Sequence, residues 1–204
     1  MEPKFRILKG AEELVLRYGV RSITMDDIAR HLAISKKTIY QFFKDKNEMV
    51  CEVVKHYLKE NQECFQLILG QSQDPIDEVL KLSEHVKVSF QNMNPGVLFE
   101  IKKYHPAAYK LFQDYKEECI YSQLLQNLKY GIEKGLYRKE MNVEVIAKLR
   151  IEEIVMAFDP FVFPHERYNL QEVQLQLIDH YLYGICTLKG HKLINKYKQI
   201  REEE

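Results

Sequence analysis

Residues 25–46 read MDDIARHLAISKKTIYQFFKDK. Thr24, just before them, sits where a helix N-cap belongs, with Asp27 three residues on in capping-box position. Ile28, Ala29 and Leu32 share one face of a short helix. Ala33 and Ile34 make a turn, and Ser35 caps a second short helix whose Ile39 and Phe43 are i and i+4 on its buried side. Short helix, tight turn, short helix is a helix-turn-helix. The second helix of that motif enters the major groove with its N-terminal residues against base edges. Here those residues are Lys36, Lys37 and Thr38, followed one turn on by Tyr40 and Gln41. Lysine donates to guanine O6 and N7 or to phosphate, and glutamine pairs with adenine edges. Hydroxyls of Thr24, Thr38 and Tyr40 can donate to phosphate oxygens, and Lys44 and Lys46 follow in position for the sugar-phosphate backbone. Phe42 and Phe43 anchor a helix too short to be stable alone.

The charge distribution agrees with this reading. The 204 residues carry 30 basic and 30 acidic side chains, so the chain as a whole is neutral. Residues 1–46 hold ten Lys and Arg against six acids, a surplus of four positive charges, and the remainder carries the balancing negative excess. A split of this kind belongs to a polyanion-binding head on a differently employed body. With 46% hydrophobic and 29% charged residues the chain is too apolar to be disordered.

Further along, helical spacing recurs and strand signals are weak. Ile7, Leu8, Ala11, Leu14, Val15 and Tyr18 form one apolar stripe stopped by Gly19. Asp45 with Glu48 opens a fourth, long helix running to about Gly70. Asp74-Pro75 caps the next, and Asn94-Pro95 and His105-Pro106 are breaks. A pattern from about Ala107 ends near Gly135. Asn142 with Glu144 and Asn169 with Glu172 start two more, the last running towards Gly190. The expected fold is all-α, about nine helices, with a DNA-binding head over residues 1–46 and a helical body over 47–204. The fourth helix joins the two, so movement in the body would be felt by the head.

The body's patterning suggests two surfaces. Over residues 170–186 two adjacent stripes make a helix with more apolar width than one core needs. Val173, Leu177, Tyr181 and Ile185, with Ile146 and Leu149 on the preceding helix, are candidates for a twofold interface; burial within one subunit is the alternative. Phe90, Phe99, Tyr104, Tyr109, Phe112, Tyr121 and Phe158 are candidates to line an apolar cavity for a small hydrophobic effector, with plain core packing as the alternative.

Other classes find little purchase. Cys51, Cys64, Cys119 and Cys186 are scattered, as reduced thiols of a cytoplasmic protein would be. No HExxH, GxSxG, zinc-spaced Cys/His set or phosphate-cradling Gly-rich loop occurs, so the sequence calls for no enzyme activity, no cofactor and no metal. No stretch has the ~18 apolar residues of a membrane span. The competing reading is a helical adaptor whose basic head binds an acidic protein.

On Thr24 and DDIARHLAISKKTIYQFFKDK, with Ile28, Ala29, Ser35, Thr38, Ile39, Tyr40, Phe43 and Lys46, the chain resembles the TetR family of bacterial transcriptional regulators. The preceding ILKGAEELVLRYG is similar to that family's first helix, which ends in an aromatic-Gly pair. Two departures stand out: Ala33-Ile34 where the turn usually has a small flexible residue, often Gly, and Lys37 where Gly is frequent. The resemblance implies that the first three helices bind DNA and that the remainder is a divergent ligand-binding and dimerisation body. It further implies a homodimer, usually a repressor, on a palindromic operator.

Overall fold

The computed structural model describes residues 2–200, and all regular secondary structure among them is helical. The head contains α1 (Pro3–Tyr18), α2 (Met25–His31) and α3 (Lys36–Tyr40). The linking helix is α4 (Lys46–Gln71). The body follows as α5 (Pro75–Phe90), α6 (Val97–Tyr104), α7 (Pro106–Tyr115), α8 (Tyr121–Glu133), α9 (Val143–Met156), α10 (Leu170–Ile185) and α11 (Leu188–Lys198).

Caps explain most of these boundaries. Gly19 ends α1 at φ +84°, and its amide donates to Val15 O at 3.0 Å. Thr24 Oγ1 accepts the Asp27 amide while Asp27 Oδ2 accepts the Thr24 amide, a complete capping box. Ser35, Asp45, Asp74, Asn142 and Asn169 each accept an amide from the first turn of the helix they precede.

The α7 and α8 segments form the one continuous helix that the pattern from about Ala107 predicts, with an unforeseen π turn over Lys116–Ile120. One boundary departs from expectation. The final helix stops at Ile185 instead of running on to Gly190. There Tyr137 and Cys186 form an isolated antiparallel bridge, with Arg138 N–H donating to Ile185 O and Thr187 N–H to Leu136 O, each at 2.9 Å. Thr187 then caps the unforeseen α11, accepting from the Gly190 amide at 3.2 Å.

Two apolar clusters fill the interior. One is continuous from the head into the body: Ile7, Val15, Ile28, Ile39 and Phe43 join Met49 and Val53 of α4, then Val97 and Ile101 of α6 and Phe158. The other holds Ile76, Leu128, Tyr137, Ala147, Leu182 and Ile194 at the far end of the body. Within it α10 packs on α5 and α8 on α9, while α4 packs against α7.

Candidate nucleic-acid interface and internal cavity

The recognition helix is built from behind. Ile39 and Phe43 are fully buried, Phe42 is half-buried against the same cluster, and the Lys4 ammonium lies over the Phe43 ring at 5.7 Å. Ser35 Oγ takes the Thr38 amide at 3.1 Å and shares a 2.8 Å hydrogen bond with the Thr38 hydroxyl. Arg6 Nη2 ties α1 to the turn by donating to Leu32 O at 3.0 Å. With the inner side so fixed, Lys36, Lys37, Tyr40 and Gln41 all stand exposed on the other. Lys44 is exposed just beyond them.

The sequence-predicted contacts do not all stand free. Lys36 Nζ is paired with Asp26 at 2.9 Å, which holds its ammonium above the ordinary lysine range. Thr24 is exposed, but its hydroxyl donates to Asp27 at 2.6 Å and is already engaged in the cap. Thr38 is half-buried, with its hydroxyl turned to Ser35. Lys46 is half-buried at the start of α4. Burial pushes its ammonium below the ordinary range, while the carboxylates of Glu100 and Asp27 oppose that shift.

Head and body meet at α6. Glu100 Oε2 accepts the Arg21 amide at 2.9 Å, and the Asn94 amide donates to Leu16 O at 2.7 Å. His105, buried where α6 ends, donates from Nδ1 to Asn47 Oδ1 at 2.7 Å. Burial, and next the Lys46 charge, pushes the His105 imidazole below its usual 6.5.

Behind this junction lies an apolar cavity of about 200 Å³. Val15 and Leu16 of α1, Val53 and Tyr57 of α4, and Val97 and Ile101 of α6 form the wall nearest the head. Of the predicted aromatics, Phe90, Phe112 and Phe158 line it. Phe99 instead packs edge-on against Phe161, and Tyr104 is exposed beneath the Arg21 guanidinium. Tyr109 leans on Phe112 from outside, and Tyr121 packs on the second cluster under Lys148. A second chamber of similar volume adjoins the first. Asn61, His85, Tyr115, Ile120 and Ile154 line both, so the π turn between Tyr115 and Tyr121 sits at their common wall. Tyr115 is among the aromatics the sequence offered for a cavity, but Asn61, His85, Ile120 and Ile154 were missed, because helical periodicity says which face is inward, not which inward residues fail to touch.

The predicted dimer residues divide in the same way. Val173, Tyr181 and Ile185 are buried inside the single subunit, Tyr181 lining the second chamber. They are therefore unavailable to a partner: the wide apolar face of α10 is used up on α5 and α9. Ile146 and Leu177 are half-buried, and Leu149 is 55% exposed beside Val145 at 59%.

One cluster unites residues that are distant in sequence. Glu12 of α1 and His56 and Glu60 of α4 bring one ligand-capable atom each within 4.8 Å of one another, a set able to hold a metal. Lys9 Nζ already sits among them, 2.7 Å from Glu60 and 3.2 Å from Glu12, and supplies the positive charge that two carboxylates require. The cluster thus acts as an ion-pair clamp between head helix and linking helix. Cys64 Sγ approaches His85 Nδ1 at 3.3 Å, a pairing that sequence spacing does not reveal.

An exposed cationic helix in a braced helix-turn-helix, joined by one long helix to an all-helical body with an apolar cavity, defines a one-component transcriptional regulator. Residues 7–53 match the family model described as "Bacterial regulatory proteins, tetR family". Over 185 residues the chain is 27% identical to YvaF of Bacillus subtilis strain 168, an uncharacterized HTH-type transcriptional regulator, covering 89% of this chain and 95% of that one. A TetR-family transcriptional regulator from Agrobacterium tumefaciens superposes with a TM-score of 0.75 at 17% identity, over 90% of this chain and 97% of that one. FadR from Bacillus subtilis, solved in complex with stearoyl-CoA, does so with a TM-score of 0.64 at 17% identity, over 89% and 98%. The head thus matches the TetR family model, and the fold of the whole chain is similar to that of solved regulators of this kind.

Proposed function

We propose that the protein is a cytoplasmic homodimeric repressor, released from a palindromic operator when a small hydrophobic molecule fills the body cavity. The observation that carries the reading is the joint exposure of Lys36, Lys37, Tyr40 and Gln41 on one short helix braced by buried Ile39 and Phe43. Lys36, Lys37, Tyr40 and Gln41 are the base-side contacts in this reading. Lys44 serves phosphate, joined by Thr24, Thr38 and Lys46 from partly shielded positions. Residues 1–46 act as the DNA-binding unit and 47–204 as the effector and dimerisation unit.

Repression and release need two states with different head spacing. The cavity is suited to choose between them, because α1, α4 and α6 form its wall and the same helices hold the head. A ligand that prefers the mis-spaced state by a few kcal/mol would lower operator occupancy. The FadR relative with a bound acyl-CoA supports a ligand-holding body on this fold. Four free thiols support a reducing compartment, and no helix among the described residues is long and apolar enough to cross a membrane.

For the partner surface, the exposed Val145 and Leu149 on α9 and the open edge of α10 at Gln176, His180 and Gly184 are the better candidates. The apolar residues of α9 are spread around the helix rather than gathered on one face, so Val145 and Leu149 stay outside the subunit's own core. Two such subunits would set their recognition helices about one DNA turn, roughly 34–36 Å, apart. Selection of bound sequences from random duplexes tests the whole reading: a palindrome should emerge. No enrichment at any salt concentration would point instead to the adaptor.

A further inference from the structure

The second chamber differs from the first in carrying charge. Glu78, in the first turn of α5, lines it and is only 5% exposed, yet makes no ion pair with any described residue. Arg150 also lines the chamber, but Glu153 already holds it at 3.2 Å. With one arginine against two carboxylates, the surroundings carry net negative charge. Burial raises the Glu78 pKa, with the Asn127 amide opposing, so the ionised carboxylate lacks the partner that would stabilise it. The second observation is independent of charge. The Tyr181 hydroxyl, buried in the same wall, is without a hydrogen-bond partner among the described residues. Buried hydroxyls are rarely left so, and an orphan at a cavity wall marks where a bound molecule would supply the partner. Its ring is held by the Arg150 guanidinium at 5.5 Å, so the hydroxyl is fixed in place.

The second chamber shares a wall with a surface cleft. Phe65, Glu78, Gln123 and Asn127 line both the second chamber and a cleft reaching the exposed Leu69 and Tyr130. Glu78 thus stands between that cleft and the second chamber.

Accepting the effector reading above, we propose that the effector is a lipophilic organic cation, its apolar body in the chamber beside α1 and α6 and its amine in the second chamber, against Glu78 and within reach of the Tyr181 hydroxyl. An anionic head group is disfavoured, because Glu78 would repel it and the nearby arginine is already neutralised. The volume suits a ring with a short chain: an engineered cavity of about 150 Å³ takes one benzene, and each chamber is somewhat larger.

Calorimetry on the full-length dimer with phenylbutylamine, phenylbutanol and phenylbutyrate separates the possibilities. The amine should bind roughly tenfold or more tightly than either analogue. Glu78→Gln should abolish that preference while leaving phenylbutanol binding within about twofold, and Tyr181→Phe should weaken the amine without changing the order. Equal binding of amine and alcohol to the unaltered protein, tightest binding of the carboxylate, or no binding of the amine overturns the charge assignment. The effector reading has a separate test: if bound amine or alcohol leaves operator affinity unchanged, that reading fails instead.

Discussion

Ala33 occupies the left-handed region at φ +53°, the position just past the end of α2 where glycine is the usual choice. An L-residue there costs about 1–2 kcal/mol, partly offset by the smaller entropy loss of alanine on folding. Ala33→Gly should therefore stabilise the protein by about 0.5 kcal/mol, read as a raised urea midpoint; a lowered midpoint would count against strain at this turn. The sequence located the turn, and the absence of Gly suggested stiffness, but the sign of φ had to come from the structure. Titration belongs to the same scale. Burial lowers the pKa of His85 and, together with Lys46, that of His105. In the unfolded chain both imidazoles take up protons near pH 6.5, while the folded protein resists until lower pH. The unfolded state then binds more protons, so stability is full above that pH and falls as the solution is acidified through it. Denaturant midpoints at pH 7.5 and 5.5 should show the loss, and His105→Asn should shrink it. A midpoint unchanged by pH contradicts the account.

Among the elements, α8 packs closely on Tyr137, the residue that bridges to Cys186. A Cβ on Gly131 would overlap the Tyr137 ring, whose hydroxyl shares its one proton between Pro75 O at 2.9 Å and Asn127 Oδ1 at 3.1 Å. Gly131→Ala should cost at least about 2 kcal/mol, since an overpacked core cannot shift a ring held at both ends. A thermal scan within a degree or two of the parent would refute that packing. Helix starts were legible in the sequence because Thr24, Ser35, Asp45, Asp74, Asn142 and Asn169 carry their own hydrogen-bonding chemistry. The end of α10 was not, because it is set by a long-range bridge to Tyr137. The π turn at Lys116–Ile120 leaves no residue signature either.

At the level of the whole molecule, the exposed and core-facing positions of the head's short helices were legible from periodicity, while the pairing of Lys36 with Asp26 and the shielding of Thr38 and Lys46 were not. The cavity and the dimer surface could not. Tyr181 and Ile185 have the spacing of an interface but the burial of a core, and only packing tells those apart. Dimerisation through α9 predicts that Leu149→Glu yields monomers by sedimentation at micromolar concentration, without unfolding, and binds the operator far more weakly. Retained dimers would move the interface elsewhere. The central claim, that the exposed face of α3 reads duplex DNA, is tested most directly by anisotropy titrations of the parent protein, Lys44→Ala and Gln41→Ala. These would use a selected operator and its single base-pair variants over a range of salt. Gln41→Ala should lose about 1–3 kcal/mol of discrimination at one symmetric base pair. Lys44→Ala should weaken binding to all sequences alike and lower the salt slope by roughly 0.9 for each phosphate it no longer neutralises. Binding indifferent to both substitutions, with no sequence preference at any salt, would contradict it.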